Sequence, residues 1–139
     1  MERNNVVMVD INDNVIGVKE KLEAHKSPIL HRAFSIYLYN KQNEILIQKR
    51  ADNKYHSGGL WSNTCCSHPQ IDENIKEGAL ERLESETGIK ANIEEVFSFV
   101  YMNKFSDDLY EYEYDHVFIG EYNGDFFLNM QEASEAKWI

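Results

Sequence analysis

Side chains that could bind a metal or carry a proton are concentrated in two parts of this sequence. A long loop, residues 58–69, contains Cys65, Cys66 and His68, and a later stretch contains Glu111 and Glu113. Because residues two apart on a strand point to the same face, Glu111 and Glu113 could converge on one ion. Imidazole nitrogens and carboxylate oxygens together suit an octahedral divalent ion such as Zn or Mn. These side chains are therefore candidate ligands of a metal ion.

The cysteines are the other reactive side chains of the sequence. Cys65 and Cys66 are adjacent, and adjacent cysteines are poorly placed for an ordinary structural disulfide. Two free thiols favour a reducing compartment, and we expect a cytoplasmic protein. A free cysteine is most often a small buried hydrophobic residue, and a single histidine usually makes only hydrogen bonds or lies on the surface. Their chemistry must therefore be argued from the motifs that contain them.

The elements that position these residues can be predicted from the hydrophobic pattern. Alternating apolar residues predict strands over residues 6–10, 15–19, 33–40, 44–49, 96–103 and 110–121, with a short strand near 61–65. Apolar residues at helical spacing predict one helix, with Asp72 as its N-cap and Gly88 as its C-cap. Residues 132–139 fit either a helix or a strand. The pattern predicts a mixed α/β fold of the α+β type with one central helix.

Length and charge restrict the possible partners. The chain has 139 residues, which fits one domain over residues 1–139. Its formal net charge is -10, with 24 acidic residues against 14 basic, so the average field disfavours nucleic acid and anionic membranes. No stretch approaches the roughly 18 apolar residues of a membrane span. We expect a small-molecule ligand, and the sequence does not indicate an oligomeric state.

The predicted helix and the residues before it resemble a degenerate Nudix box. The positions that match this motif are Glu73, Glu86, Gly88 and Ile89. Ser67 replaces the leading Gly, Glu81-Arg82 reverses the usual Arg-Glu, and Ser85 replaces one of the paired metal-binding glutamates. Glu86 is what remains of that carboxylate cluster. A pyrophosphohydrolase usually needs several carboxylates to hold its metal ions, so hydrolysis fits this box poorly.

The same departures occur in type I isopentenyl diphosphate isomerases, a family that this sequence resembles along nearly all of its length. Their pattern Trp-x-Asn-(Ser/Thr)-x-Cys-x-His-Pro is matched by Trp61, Asn63, Thr64, Cys66, His68 and Pro69. Further matches are Ala24-His25, His31-Arg32-Ala33-Phe34 and Tyr110-Glu111-Tyr112-Glu113. Cys66, two residues before the histidine, takes the position of the catalytic cysteine, and Cys65 does not.

This resemblance implies a Nudix-type fold, with a mixed sheet flanked by helices, and a reaction of isoprenoid biosynthesis. Isopentenyl diphosphate becomes dimethylallyl diphosphate when the terminal alkene carbon gains a proton and the carbon on the other side of the tertiary carbon loses one. The resemblance assigns these two steps to Cys66 and Glu113 on different faces of the substrate, with Tyr101 assisting the carboxylate.

The resemblance also implies two metal ions and a diphosphate site. The ligands of a transition-type ion, Mn or Zn, would be His25, His31, His68, Glu111 and Glu113. A second ion, Mg bound with the diphosphate, would be held by Glu86. The substrate-binding residues would be Lys21, Arg50, Lys54 and Arg82, with Trp61 as an aromatic wall for a cationic centre.

Two alternative functions stay open on the sequence alone: a Nudix pyrophosphohydrolase and a non-catalytic metal-binding Nudix module. Intact Cys66, Glu113 and Glu86 count against the second alternative. His56 and His116 match no motif, and we expect both to be structural or surface residues. Full-length members of the family continue with a C-terminal segment, which we expect this domain to lack.

Overall fold

The computed structural model describes residues 4–51, 59–106 and 109–139. Its elements in chain order are β1 (Asn5–Val9), β2 (Val15–Glu20), α1 (Lys21–Lys26), β3 (His31–Tyr39), β4 (Leu46–Arg50), β5 (Trp61–Ser62), β6 (Cys65–Ser67), α2 (Ile75–Thr87), β7 (Glu94–Ser106), β8 (Leu109–Glu121) and β9 (Ala133–Trp138). No helix within the described ranges is long and apolar enough to cross a membrane. The predicted α+β class is confirmed, and residues 133–138 form a strand.

The main sheet has the strand order β2-β1-β3-β8-β7, with β6 also paired to β3. β3 and β8 run parallel, while the remaining pairs of this sheet are antiparallel. Because β8 pairs with β3 from His31 to Tyr39, β1 and β6 share the opposite edge of β3. β3 is thus the central strand, and β5, β4 and β9 form a second, smaller sheet in that order.

The hydrophobic core lies between α2 and one face of the main sheet. Phe34 and Ile36 of β3 and Phe118 of β8 are at most 1% exposed, and they cluster with Leu83 of α2. Neighbouring residues of a strand point to opposite faces of its sheet. The odd-numbered residues of β3 and β8 therefore lie on the other face, and the polar side chains of the candidate site are found there.

Helix α2 ends where the sequence predicts, but its N-cap differs. The predicted N-cap Asp72 lies in the preceding turn with φ of 62°. The observed N-cap is Asn74, whose side-chain oxygen accepts a 3.0 Å hydrogen bond from the N–H of Glu77. Both residues have the short polar side chain that caps a helix, and Asn74 is the one that directly precedes Ile75, the first helical residue. Gly88 is the C-cap, with φ of 72° and its N–H bonded to Glu84 O at 2.8 Å.

Two short segments near the site also differ from the prediction. The strand predicted over residues 61–65 is divided into β5 and β6. Between them the amide of Asn63 donates to the carbonyls of Ile36 at 3.0 Å and Cys65 at 2.9 Å, which turns the chain from the small sheet into the main one. The segment Lys21–Lys26, where the hydrophobic pattern predicts neither a helix nor a strand, is a helix that carries His25.

Candidate active site

Four side chains from four separate parts of the chain meet on the polar face of the main sheet. They are His25 of α1, His31 at the start of β3, His68 directly after β6, and Glu113 of β8. One donor atom from each lies within 4.8 Å of the other three. His31 and Glu113 are register partners in the parallel pair of β3 and β8. The fold therefore brings together four of the five predicted ligands of the transition-type ion.

Backbone hydrogen bonds fix how two of the imidazole rings are turned. Nδ1 of His25 lies 2.7 Å from Lys21 O, and Nδ1 of His31 lies 2.8 Å from Ile29 O. A carbonyl oxygen only accepts, so each Nδ1 carries the hydrogen and donates. When such a ring is neutral, as a ring that binds a metal ion is, the lone pair is on Nε2. Metal-binding histidines commonly have this arrangement, in which a hydrogen bond at one nitrogen orients the other toward the ion.

The fourth donor is a carboxylate surrounded by imidazole. Nε2 of His68 lies 2.9 Å, and Nε2 of His31 lies 3.3 Å, from the same Oε2 atom of Glu113. Burial lowers the pKa of His68 to about 4, against the opposing effect of Glu113, so this ring is neutral near pH 7. Neutral imidazoles gathered around a carboxylate form the nitrogen and oxygen donor set of a divalent transition ion. The residues present fit such an ion.

Glu111, the fifth predicted ligand, lies beside this group but outside the four converging atoms. It is joined to the group by Tyr101, which is the register partner of Glu113 on β7. The Tyr101 hydroxyl lies 2.9 Å from Oε2 of Glu111 and also makes a very short contact with Oε1 of Glu113. A hydroxyl has one hydrogen to donate, so the two carboxylates share a single donor.

The ionisation of the buried carboxylate differs from that of its neighbours. Burial alone would raise the pKa of Glu113, but the contacts with His31 and His68 outweigh it and lower that pKa well below its usual value. Burial and the Glu113 and Glu111 carboxylates raise the pKa of Tyr101. Glu113 is therefore an anion that can accept a proton, and Tyr101 remains a hydroxyl that donates to it.

The adjacent cysteines of β6 point to opposite faces of the sheet. Cys65 pairs with Ile36 and belongs to the hydrophobic core with no exposed surface, whereas Cys66 pairs with Ser35 and lines the cavity in front of the site. Burial, reinforced by the Glu86 and Glu113 carboxylates and opposed by a nearby guanidinium, raises the pKa of Cys66 to about 12. The side chain that faces the cavity is therefore a protonated thiol.

A cavity of about 660 Å³ joins these groups to the predicted diphosphate-binding residues. Cys66, Tyr101 and Glu113 line it together with the cations Lys21, Arg50 and Arg82. Lys54, the fourth predicted cation, lies outside the described residues. Basic side chains are thus gathered in one cavity of a chain whose net charge is -10, as an anionic ligand requires.

Glu86, predicted to hold the second ion, is a buried carboxylate of α2 that faces this cavity. Its Oε1 accepts from the amide of Gln48 at 3.2 Å, and its Oε2 accepts from Arg82 at 3.0 Å. The Gln48 amide also donates to Thr64 O at 2.8 Å, which ties the carboxylate to the turn before β6. Arg82 lies 3.7 Å from Glu132, so this guanidinium is shared by two carboxylates.

Trp61 lines the cavity and already has a cation above its ring. The ammonium of Lys137 lies 4.6 Å from the ring centroid, and the Trp61 side chain is 40% exposed. Such a contact uses the negative face of the aromatic ring. Trp61 can therefore shape the cavity wall, and one face of its ring is engaged by a cation of the chain itself.

His116 lies on the opposite side of the sheet from the candidate site, which agrees with its predicted structural role. Its ring nitrogens contact Oδ2 of Asp13 at 2.8 Å and Oε2 of Glu95 at 3.1 Å, and Arg32 completes the network by donating to Asp13 at 2.9 Å. The other histidine predicted to be structural, His56, lies outside the described residues.

Asp115 and Ser35 are among the cavity residues that the sequence patterns did not identify. Asp115 follows Glu113 by two on β8, and the Ser35 hydroxyl donates to Asp115 Oδ2 at 2.8 Å. Burial raises the pKa of Asp115 to about 7, against the opposing hydrogen bond from Ser35. Continuing the alternation from Glu113 would have identified Asp115. No local pattern identifies Ser35 as its partner, because the two residues are distant in sequence.

The chain matches a domain family and a set of named relatives. Residues 29–139 match the NUDIX domain. "Isopentenyl-diphosphate Delta-isomerase 1" of Aromatoleum aromaticum is 48% identical over 96% of this chain and 76% of the relative, and "Isopentenyl-diphosphate Delta-isomerase 2" of the same organism is 46% identical over 96% and 71%. The isomerase of Burkholderia multivorans is 41% identical over 96% of this chain and 76% of its own length.

Solved structures agree on the fold. The protein DR0079 from Deinococcus radiodurans has a TM-score of 0.80 at 17% identity, with 97% of this chain and 82% of that one covered. The MutT protein from Methanosarcina mazei has a TM-score of 0.67 at 21% identity, with 79% and 76% covered. Likeness at such low identity concerns the fold alone, whereas the named relatives are similar enough to fix the family. The chain belongs to the Nudix superfamily and, within it, to the isopentenyl-diphosphate Delta-isomerases.

Proposed function

We propose that this enzyme isomerises isopentenyl diphosphate to dimethylallyl diphosphate, with Cys66 and Glu113 as the groups that move protons. The main support is that both side chains line one cavity, the thiol as a proton donor and the carboxylate as a proton acceptor. The pKa of Cys66 is raised to about 12 by burial, while the histidine contacts lower the pKa of Glu113 despite its burial. One group therefore holds a proton, and the other can accept one.

The proton steps follow from these states. The Cys66 thiol donates its proton to the terminal alkene carbon, which leaves positive charge on the tertiary carbon. Glu113 removes a proton from the carbon on the diphosphate side, and the double bond forms there. A proton then passes from Glu113 back to the Cys66 thiolate, directly or through solvent, and restores the starting state. The Tyr101 hydroxyl, held between Glu111 and Glu113, keeps the accepting carboxylate in place.

The basic side of the cavity suits the diphosphate. Lys21, Arg50 and Arg82 line it, and Arg82 presents a fork of donors that matches phosphate oxygens. We assign these residues to the diphosphate, with Lys54 as a further candidate from the sequence resemblance. Glu86 would hold Mg at the same end, since a hard cation that binds phosphate prefers carboxylate oxygen.

We assign the transition-type ion, Zn or Mn, to His25, His31, His68 and Glu113, with Glu111 as the fifth ligand. When bound, this ion supplies a fixed positive charge that keeps Glu113 ionised and oriented. The hydrogen bonds of His25 and His31 to backbone carbonyls orient their rings before any ion is bound. Burial of the group excludes water. We also propose a cytoplasmic location, because both cysteines are free thiols.

Metal content tests this assignment without reference to turnover. Protein purified without chelators is expected to contain one transition metal ion per chain by elemental analysis. His68→Ala is expected to lose most of it, because removing one imidazole leaves an incomplete donor set. His116→Gln is the matched control, since it changes a buried histidine on the other face of the sheet and leaves the metal ligands intact.

Two results would reject the metal site. One is a metal content near zero in the unmodified protein together with activity that added Zn or Mn does not change. The other is equal metal loss from His68→Ala and His116→Gln when both variants are folded by circular dichroism.

The activity itself is tested by proton NMR in deuterated water with isopentenyl diphosphate and Mg. We expect the terminal alkene signals to disappear, the dimethylallyl signals to grow, and deuterium to enter the product, because the donated proton exchanges with solvent. Phosphate release without movement of the double bond would instead indicate a Nudix pyrophosphohydrolase. If neither the double bond moves nor phosphate is released, the chain is a non-catalytic Nudix module.

A further inference from the structure

Asp115 is a buried carboxyl on the cavity floor that the proposed proton steps do not use. It stands two residues beyond Glu113 on β8 and lines the same cavity, with 5% of its surface exposed. Its register partners are Ala33 on β3 and Phe99 on β7. The carboxyl is therefore set among small and aromatic neighbours on the same face as Glu113.

The hydrogen bonding of this carboxyl is incomplete. Oδ2 accepts from the Ser35 hydroxyl at 2.8 Å, while Oδ1 is buried and has no hydrogen-bond partner in the described parts of the chain. A buried acceptor without a donor costs free energy, roughly 1–3 kcal/mol and more for a charged group. Because Asp115 lines the cavity, a hydrogen-bond donor or a positive charge that enters the cavity could satisfy this oxygen.

Its place in the sheet puts Asp115 beside the path between the two proton-moving groups. Ser35 is the register partner of Cys66 on one side of β3 and bonds to Asp115 on the other side. Glu113 lies next to Asp115 on the same face of β8. By register, a line from Cys66 to Glu113 crosses β3 near Ala33, whose partner on β8 is Asp115. A five-carbon chain that reaches from Cys66 to Glu113 would therefore lie beside the Asp115 carboxyl.

The proposed reaction creates a positive charge at this place, and a fixed negative charge beside it would stabilise that charge. Trp61 has the Lys137 ammonium 4.6 Å from its ring centroid, so one face of that ring is already engaged by a cation. We propose that Asp115, oriented by Ser35, stabilises the positive charge that develops on the tertiary carbon of the substrate. This inference rests on the proposed isomerase function.

Electrostatics favour this use of a fixed carboxylate. A charge held in position by the protein needs no reorganisation when charge develops in the substrate, and a poorly solvated site strengthens the attraction. The purely structural alternative is that Asp115 only ties β8 to β3 through Ser35.

The isosteric variant Asp115→Asn separates these roles. It keeps the shape and can still accept from Ser35, but it carries no charge. We expect the kcat for isopentenyl diphosphate to fall about 10-fold to 100-fold with KM within about threefold of the unmodified value. Asp13→Asn is the matched control: it makes the same change in a carboxylate that contacts His116 on the opposite face of the sheet, so most of the kcat is retained.

Binding of two probes gives a readout independent of turnover. One is an alkyl diphosphate in which a protonated tertiary amine replaces the tertiary carbon, and the other is its saturated, uncharged counterpart. The unmodified enzyme is expected to prefer the cationic probe, and Asp115→Asn is expected to reduce this preference at least about tenfold with the neutral probe unaffected. Should Asp115→Asn not fold, Asp115→Ser removes the same charge and is expected to reduce the preference for the cationic probe to the same extent.

An unchanged preference in folded, charge-free variants would overturn the role of Asp115, and so would equal losses for both probes. Turnover of the unmodified enzyme separates this failure from a wider one. If the unmodified enzyme isomerises the substrate and the preference is unchanged, the role of Asp115 alone is rejected. If it does not isomerise, the proposed function and this inference fail together.

Discussion

Cys66→Ala is expected to lower turnover at least about a thousandfold, while Cys65→Ala keeps most of it. A positioned acid or base typically contributes 10²-fold to 10⁴-fold to a rate, and protonation of so weak a base as an alkene needs an acid held directly at the reacting carbon, the place assigned to Cys66. The comparison is sharp because the two cysteines are chemically identical neighbours that differ only in the face of β6 to which they point.

The two substitutions should also differ in their effect on stability. Cys65 is fully buried beside Ile36 and Leu83 in the core, so its truncation should cost about 1 kcal/mol of the free energy of unfolding. Cys66 faces the cavity, where the missing sulfur can be replaced by solvent, and its truncation should cost less. Urea unfolding and the deuterium NMR assay on both variants measure these two effects. Equal losses of turnover in the two variants would refute the assignment of Cys66.

Local patterns in the sequence account for most of the secondary structure. The alternation of β3 and β8 and the helical spacing before Gly88 are set by burial of one face, which the sequence carries directly. The cap of α2 was misplaced because Asp72 and Asn74 are both capable of the role, and the choice depends on how the preceding turn approaches the helix. Helix α1 is too short for a periodic pattern to reveal it.

The candidate site could be predicted only in part from the residues themselves. The pairing of Glu111 and Glu113 follows from strand alternation, but the meeting of His25, His31 and His68 with Glu113 depends on the parallel register of β3 and β8. No local rule gives that register, so the ligand set came from the family resemblance. Asp115 shows the limit of this approach, because no motif included it and its hydrogen bond to Ser35 is a product of the tertiary fold.

Glu113→Gln is expected to lower turnover as severely as Cys66→Ala, at least about a thousandfold. The amide has nearly the same shape and can still accept from Tyr101, but it cannot take up the proton that the product must lose. Because Glu113 also lies among the metal ligands, the loss has two possible origins, and the measurement must separate them. An amide oxygen remains a possible ligand, so excess Mn should restore metal occupancy without restoring turnover.

The decisive comparison is therefore the rate per bound metal ion, with NMR turnover and elemental analysis performed on the same Glu113→Gln samples. Glu95→Gln is the matched control, because it makes the same change in a carboxylate of the neighbouring strand that contacts His116 on the opposite face of the sheet. It should leave both metal content and turnover near normal. If Glu113→Gln recovers to within about tenfold of the unmodified rate once Mn is fully bound, the carboxylate serves only as a ligand. The proton acceptor would then have to be sought among the other carboxylates of the cavity.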